Sequence, residues 1–417
     1  MSIQSSSTTS RLEEFAVHLK TERYAATIQR YYLWLAQRFV DYLGRKCIAV
    51  EAVGAVELED FLQWELRSWR RRHGRDPRNI VEWRRRYRTA INGFLRLVHG
   101  HWPVVAAPTT AIEAFHRDLV QGYDAWMREL RGLASVTRSK RTTRALEFLT
   151  DLGPRGGQES LAQLRVGDID AYLQRRCKGL RRQTIEDYTV CLRSFLRYLH
   201  GSGRTALDLS STMLGPRIYD NEQVPAALRP EEVQAVLEVT RQDCSPIGRR
   251  DYAFLMLLAT YGLRAGEIIA LRLEDIDWKK EILHVRHSKT GAESELPLLR
   301  EAGEAVLSYL EKARPETKHR ELFLQVQAPY RAYKHGSILN YVISARLKMA
   351  GITPRGKKGP HAFRHARAVS LLRAAVPLKV IADVLGHRSE ESTAVYLKLA
   401  TEDLRAVGLD IPKEVLP

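Results

Sequence analysis

The chain has 417 residues, a length that accommodates two to four domains, each able to bury its own core. Lysine and arginine number 66 against 49 aspartates and glutamates, and the net charge of +17 favours a polyanionic partner bound in a salt-dependent way. The four cysteines (Cys47, Cys177, Cys191, Cys244) form no C-x-x-C pair and the most apolar run, Tyr252 to Leu263, is too short to span a bilayer, so disulfide frameworks, zinc ribbons and membrane spans are set aside and a reduced, soluble, cytoplasmic protein is expected.

Residues 1–10 are rich in serine and threonine, lack a basic start followed by an apolar core, and are expected to be a disordered leader rather than a signal peptide. Residues 11–102 read as helical: Leu12, Phe15, Ala16 and Leu19 share a face, and Ile28, Tyr31, Tyr32, Leu35, Phe39 and Leu43 form a longer stripe. A third helix is expected around Leu58, Phe61 and Leu62, and a fourth ends in F-L-R-L-V-H-G at 94–100. Residues 110–205 repeat this plan. F-L-R-Y-L-H-G at 195–201 is displaced by 101 positions from the first copy, and A-Y-L-Q at 171–174 by 111 from D-F-L-Q at 60–63. The first copy therefore carries about ten extra residues between its third and fourth helices.

Those extra residues lie in the most basic stretch of the chain, where Arg70, Arg71, Arg72, Arg84 and Arg85 interleave with Trp64, Trp69 and Trp83. The second copy has Arg138, Lys140, Arg141, Arg181 and Arg182 near expected helix starts, where side chains and backbone donors could both meet phosphates. One charge run alone reads as a solvated helix face. Runs in both copies, added to the overall excess, point to nucleic acid, while the tryptophans are expected in the core. Residues 206–225 read as a linker.

A further domain, 226–400, opens at Arg229-Pro230-Glu231-Glu232, a helix start with proline in the first turn and carboxylates that suit the macrodipole. Helices are expected at 231–240 and 248–261, short strands at 281–286 and 295–298 around a turn at Thr290-Gly291, and helices at 301–313, 337–350, 361–374, 377–385 and 390–398. Residues 401–417 form an amphipathic tail. The fold class is mainly α with one small β-sheet in this last domain, preceded by two helical modules.

Several of its residues suit phosphoryl chemistry. Arg264 would start a helix with Glu267 three residues on; the pair is either an ordinary surface ion pair or a guanidinium held ready for phosphate. Lys289, in H-S-K-T-G, is either a solvated turn lysine or a proton donor to a leaving oxygen. His361 and Arg364 share a helix face, and Leu385-Gly386-His387 projects a histidine from a tight turn. Tyr396 follows nine residues after His387. A phenol is a poor nucleophile, with a reference pKa about three units above neutral, yet it can attack phosphorus when fixed among cations.

Taken in order, Arg264 in G-L-R-x-G-E, Lys289, His361-Ala-Phe-Arg364, Leu385-Gly-His387 and Tyr396 resemble the signature of the tyrosine recombinases, the integrase family of phages and mobile elements. The resemblance is strong over about 225–400 and looser over 110–205, which is similar to the family's helical core-binding domain. It implies that Tyr396 attacks the scissile phosphate to give a 3′-phosphotyrosine and a 5′-hydroxyl. Arg264 and Arg364 would bind the non-bridging oxygens, Lys289 would be the general acid, His361 and His387 would assist, and Glu267 would brace Arg264. The partners implied are double-stranded DNA and other recombinase protomers, in a homo- or hetero-tetramer on paired sites. No metal or nucleotide cofactor is called for, and a bacterial protein of this kind would be nucleoid-associated when bound. Two departures stand out: Phe363 where leucine is common, and the extra amino-terminal module at 11–102, which suggests a transposon-borne recombinase. The rival readings are a type IB topoisomerase and a catalytically silent DNA-binding accessory protein.

Overall fold

The computed structural model describes residues 2–103, 107–218, 227–287, 291–354 and 358–386. Contacts divide the chain into two compact units, one made of residues 104–222 and the other of 1–103 together with 223–417.

The first unit begins with four long helices, α1 (Ser2–Thr21), α2 (Ala26–Arg45), α3 (Ala55–His73) and α4 (Ile80–His99). The α2 stripe shows why they associate: Leu35, Ala36, Phe39, Tyr42 and Leu43 are buried, while Gln37 and Asp41 between them face water. They meet Phe61 and Leu62 of α3 and Phe94 and Leu95 of α4 in one core, to which Trp83 belongs and against which Trp64 and Trp69 pack. These three tryptophans thus pack in or against the core, where they are expected. α4 is started by Asn79, whose side chain accepts from the Glu82 N–H at 3.0 Å, and ended by Gly100 in the left-handed conformation. The helix α1 begins at Ser2, which corrects the expectation of a disordered leader: once the nucleus at 11–21 exists, extension by further turns costs little.

The second unit contains α5 (Ala111–Glu129), α6 (Ser135–Leu152), the single turn α7 (Gln158–Leu161), α8 (Val166–Cys177) and α9 (Arg182–Gly201), packed around Tyr123, Phe148 and Phe195. The two copies of the F-L-R motif occupy the last turns of α4 and α9, with Phe94 and Phe195 both fully buried. The D-F-L-Q and A-Y-L-Q segments lie in α3 and α8. α3 has 19 residues and α8 has 12, so most of the extra length in the first copy is two further helical turns. Leu209 and Met213 bury themselves in the second unit's core, so packing continues past residue 205 into the stretch expected to be linker.

The rest of the first unit is built on α11. In chain order come α10 (Pro230–Arg241), α11 (Pro246–Tyr261), α12 (Ala265–Ala270), β1 (Ile276–Asp277), β2 (Ile282–Arg286), β3 (Glu293–Pro297), α13 (Arg300–Lys312), α14 (Ser337–Met349), α15 (Pro360–Arg373) and α16 (Leu378–Leu385). α11 is apolar nearly all round because α10, α13 and α15 pack on different sides of it, which explains the long apolar run in the sequence. α14 is tied to it by charge: Arg346 donates to Asp251 Oδ2 from Nε at 3.0 Å and from Nη2 at 2.8 Å, inside the protein. The strands form an antiparallel sheet in the order β1-β2-β3, with Leu283 opposite Leu296 and Val285 opposite Ser294. β1 is a short addition to the two expected strands. The expected helix at 390–398 and the tail at 401–417 lie outside the described residues. No described helix is long and apolar enough to cross a membrane.

Candidate active site

The site is assembled where two helices end and a third begins. Gly262 closes α11 with φ 65° and Gly386 closes α16 with φ 60°, both in the left-handed region that glycine adopts without a Cβ penalty. Helix C-termini leave carbonyls unpaired and carry partial negative charge. Two guanidiniums take them up. Arg364, from the second turn of α15, donates from Nη1 to the Gly262 carbonyl at 2.8 Å and from Nη2 to the Leu385 carbonyl. Arg264 donates from Nη2 to the next carbonyl, that of Gly386, at 2.9 Å. Arg364 is only 3% exposed, and burying its charge is tolerable because these acceptors surround it.

Arg264 is the N-cap of α12, and Glu267 reaches back to it in a capping box. Glu267 Oε2 accepts from the Arg264 backbone N–H at 2.7 Å, and Oε1 accepts from Arg264 Nη1 at 2.7 Å. Glu267 is 2% exposed, so the reading as a surface ion pair is excluded. Burial pushes its carboxyl pKa up. Hydrogen bonds from His287, from the Arg264 backbone and from the Arg264 side chain outweigh this and hold it below the usual carboxylate range. The Arg264 side chain remains 17% exposed, open to a phosphate oxygen.

His287 is the residue that sequence reasoning missed. Its Nδ1 lies 2.9 Å from Glu267 Oε1, its Nε2 lies 2.9 Å from Ser294 Oγ, and the ring is buried. A signal was present: the period-two alternation that buries Leu283 and Val285 and leaves Arg286 exposed puts His287 on the buried face too. The same residue closes the hairpin loop, its N–H donating to the Ala292 carbonyl at 2.8 Å and its carbonyl accepting from the Gly291 N–H at 2.8 Å.

Of the other expected site residues, His361 stands exposed in the first turn of α15, one turn before Arg364, its ring 6.2 Å from that of His365. Lys289, His387 and Tyr396 lie outside the described residues; in sequence, Lys289 belongs to the loop that His287 closes and His387 follows Gly386 directly.

Most of the basic residues singled out for phosphate contact are paired within the fold. Arg70 pairs with Asp76, Arg72 with Glu65, Arg84 with Glu59, Arg85 with Glu82, Arg138 with Asp124 and Lys140 with Asp187. Arg141 donates to Ser194 Oγ at 3.0 Å, and Arg182 opens α9. Arg71 and Arg181 are exposed and carry no ion pair among the described residues, as do Arg67, Arg75 and Arg78.

Residues 226–403 match the phage integrase family. The integrase/recombinase y4gC of Sinorhizobium fredii is 56% identical over 189 residues, which are 45% of this chain and 97% of that protein. The integrase/recombinase y4rA of the same organism is 36% identical over 296 residues, 71% of each chain. Among solved structures, a lambda integrase dimer bound to a COC' core site shares the fold with a TM-score of 0.52 at 17% identity, over 72% of this chain and 99% of that one. The convergent arginines and their carboxylate fall inside the family match and a relative is this similar over 71% of both chains: the chain belongs to the phage integrase family and is a tyrosine-type site-specific recombinase.

Proposed function

We propose that this recombinase cuts and rejoins double-stranded DNA through Tyr396, in the integration, excision or transposition of a mobile element. One observation carries the reading. Arg264 and Arg364, 100 residues apart in sequence, donate to consecutive carbonyls of the turn that leads into His387 and then Tyr396.

In this reading the Tyr396 oxygen forms a bond to the scissile phosphorus and the bond to the 5′ oxygen breaks, leaving a 3′-phosphotyrosine. Negative charge gathers on the non-bridging oxygens in the transition state. Guanidiniums already fixed by Glu267 and by helix-end carbonyls stabilise it without reorganising. Lys289, from the loop between β2 and β3, protonates the leaving 5′ oxygen, and His361 and His387 hydrogen-bond the phosphate and accept the phenolic proton. One phosphoester replaces another, so rejoining is the same displacement run backwards. The fold shared with a lambda integrase dimer on its core site, and with a lambda integrase tetramer on a Holliday junction, supports DNA and further protomers as partners, in a homo- or hetero-tetramer on paired sites.

The test uses nicked duplexes covering the DNA that flanks this protein's own gene. The wild-type protein is expected to form a covalent adduct at one position in each flank. Tyr396→Phe should abolish the adduct while retaining duplex binding. An adduct that persists in Tyr396→Phe places the nucleophile elsewhere, and adducts scattered without sequence preference overturn the mobile-element role.

A further inference from the structure

We propose that His287 is a positioning residue for the strand-cutting reaction, joining the three segments that bring Arg264, Lys289 and His387 to the phosphate; the inference rests on the Tyr396 reading above. Three contacts carry it. On one side the ring meets Glu267, the carboxylate that holds Arg264, at 2.9 Å. On another it meets Ser294 of β3, also at 2.9 Å, across the hairpin whose loop contains Lys289. On the third it lies against Gly386, where an added Cβ would overlap the ring and where the carbonyl accepts from Arg264. Among the described residues at this site, His287 touches α12, the β2–β3 hairpin and the end of α16 together.

The chemistry of an imidazole suits this place. A neutral ring offers one donor and one acceptor on opposite sides. With the proton on Nδ1, it donates to the buried Glu267 while Nε2 accepts from the half-buried Ser294 hydroxyl, and both partners are satisfied. Glu267 then receives three hydrogen bonds, from His287 and from the backbone and side chain of Arg264. Removing the ring frees the carboxylate to rotate and Arg264 to follow it. It also loosens the base of the hairpin loop and opens space beside Gly386. A displacement of about 1 Å in such a group is enough to cost roughly 100-fold in rate.

Because His287 contacts the supports rather than the phosphate, its loss should slow cutting without weakening DNA binding, most of which comes from phosphate contacts spread over the protein. The experiment measures single-turnover adduct formation at saturating nicked flank duplex, together with equilibrium binding of the intact duplex. His287→Ala is expected to cut about 10- to 100-fold more slowly than the wild type with its Kd within about 3-fold. His287→Gln, which keeps a donor and an acceptor without a charge, should recover at least half of that loss on a logarithmic scale. Ser294→Ala, which removes only the outer partner, should fall between His287→Ala and the wild type. His287→Ala cutting at the wild-type rate overturns the inference. So does His287→Gln cutting no faster than His287→Ala, or a loss of cutting matched by an equal loss of binding. A wild-type protein that forms no adduct at all overturns the Tyr396 reading instead, and is thereby told apart from failure of the His287 role.

Discussion

At Glu267 burial and charge act against each other, and the outcome can be measured. Its carboxylate is out of water yet stays ionised because His287 and both donors of Arg264 surround it. Replacing it by glutamine keeps the shape and removes the charge, leaving Arg264 less compensated. A cost of about 2–4 kcal/mol is expected, read as a lower urea midpoint near neutral pH. The pH dependence follows from the direction of the shift. A carboxylate whose folded pKa is depressed contributes stability that is fully present above its unfolded value, about 4.3, and is lost as pH falls through the folded value. The gap between wild type and Glu267→Gln should therefore narrow from about pH 5 downward. A gap of the same size at pH 3 and pH 7 would show that the cost of the substitution does not come from the lost charge.

Among the elements, the sequence made the apolar stripes, the capping residues and the order of the helices legible, because periodicity and turn chemistry are local. Arg264, Glu267 and Arg364 were readable for the same reason: each is a side chain in a short motif. The carbonyls of Gly262, Leu385 and Gly386 were not, since any residue carries a carbonyl and only the fold decides which ones face a guanidinium. The basic insert shows the same limit. Its sequence displays a block of arginines, but the two extra turns of α3 set Arg70 and Arg72 against Asp76 and Glu65, leaving Arg71 and Arg75 exposed and without an ion pair among the described residues. If this helix end contacts DNA, the unpaired arginines should carry the contact. Arg71→Ala with Arg75→Ala is then expected to reduce the slope of log K against log salt by about 2. Arg72→Ala should instead leave the slope unchanged and lower stability, because Glu65 is fully buried. The opposite pattern in a salt titration would show that the internal pairs open on DNA.

In the molecule as a whole, α1 to α4 and the α11 bundle keep separate apolar cores although they share one compact unit. Polar contacts join them among the described residues. At the turn after α1, Arg23 adopts φ 60°, donates from Nη1 to the Glu316 carbonyl at 2.8 Å, and places its guanidinium 5.5 Å from the centre of the Tyr330 ring. Glu22 lies 3.4 Å from Arg331. The gripped segment runs on to Gly336, where an added Cβ would sit 2.9 Å from that of Ala265, the residue after Arg264. The amino-terminal helices therefore hold the loop that rests against the start of α12. An exposed ion pair contributes at most about 1 kcal/mol and an exposed cation–π contact about as much. The junction should open long before either core melts, and salt should help to open it, because both terms are electrostatic. Replacing Glu22 and Arg23 together by alanine is expected to speed amide hydrogen exchange roughly 10-fold over residues 314–336, while α11, deep in its own core, keeps its protection. About 0.5 M salt should reproduce part of that effect in the wild type and add little to the double variant. If exchange over this segment is the same in both proteins at low salt, the loop is held by its own packing on α12 and the amino-terminal helices merely lie beside it.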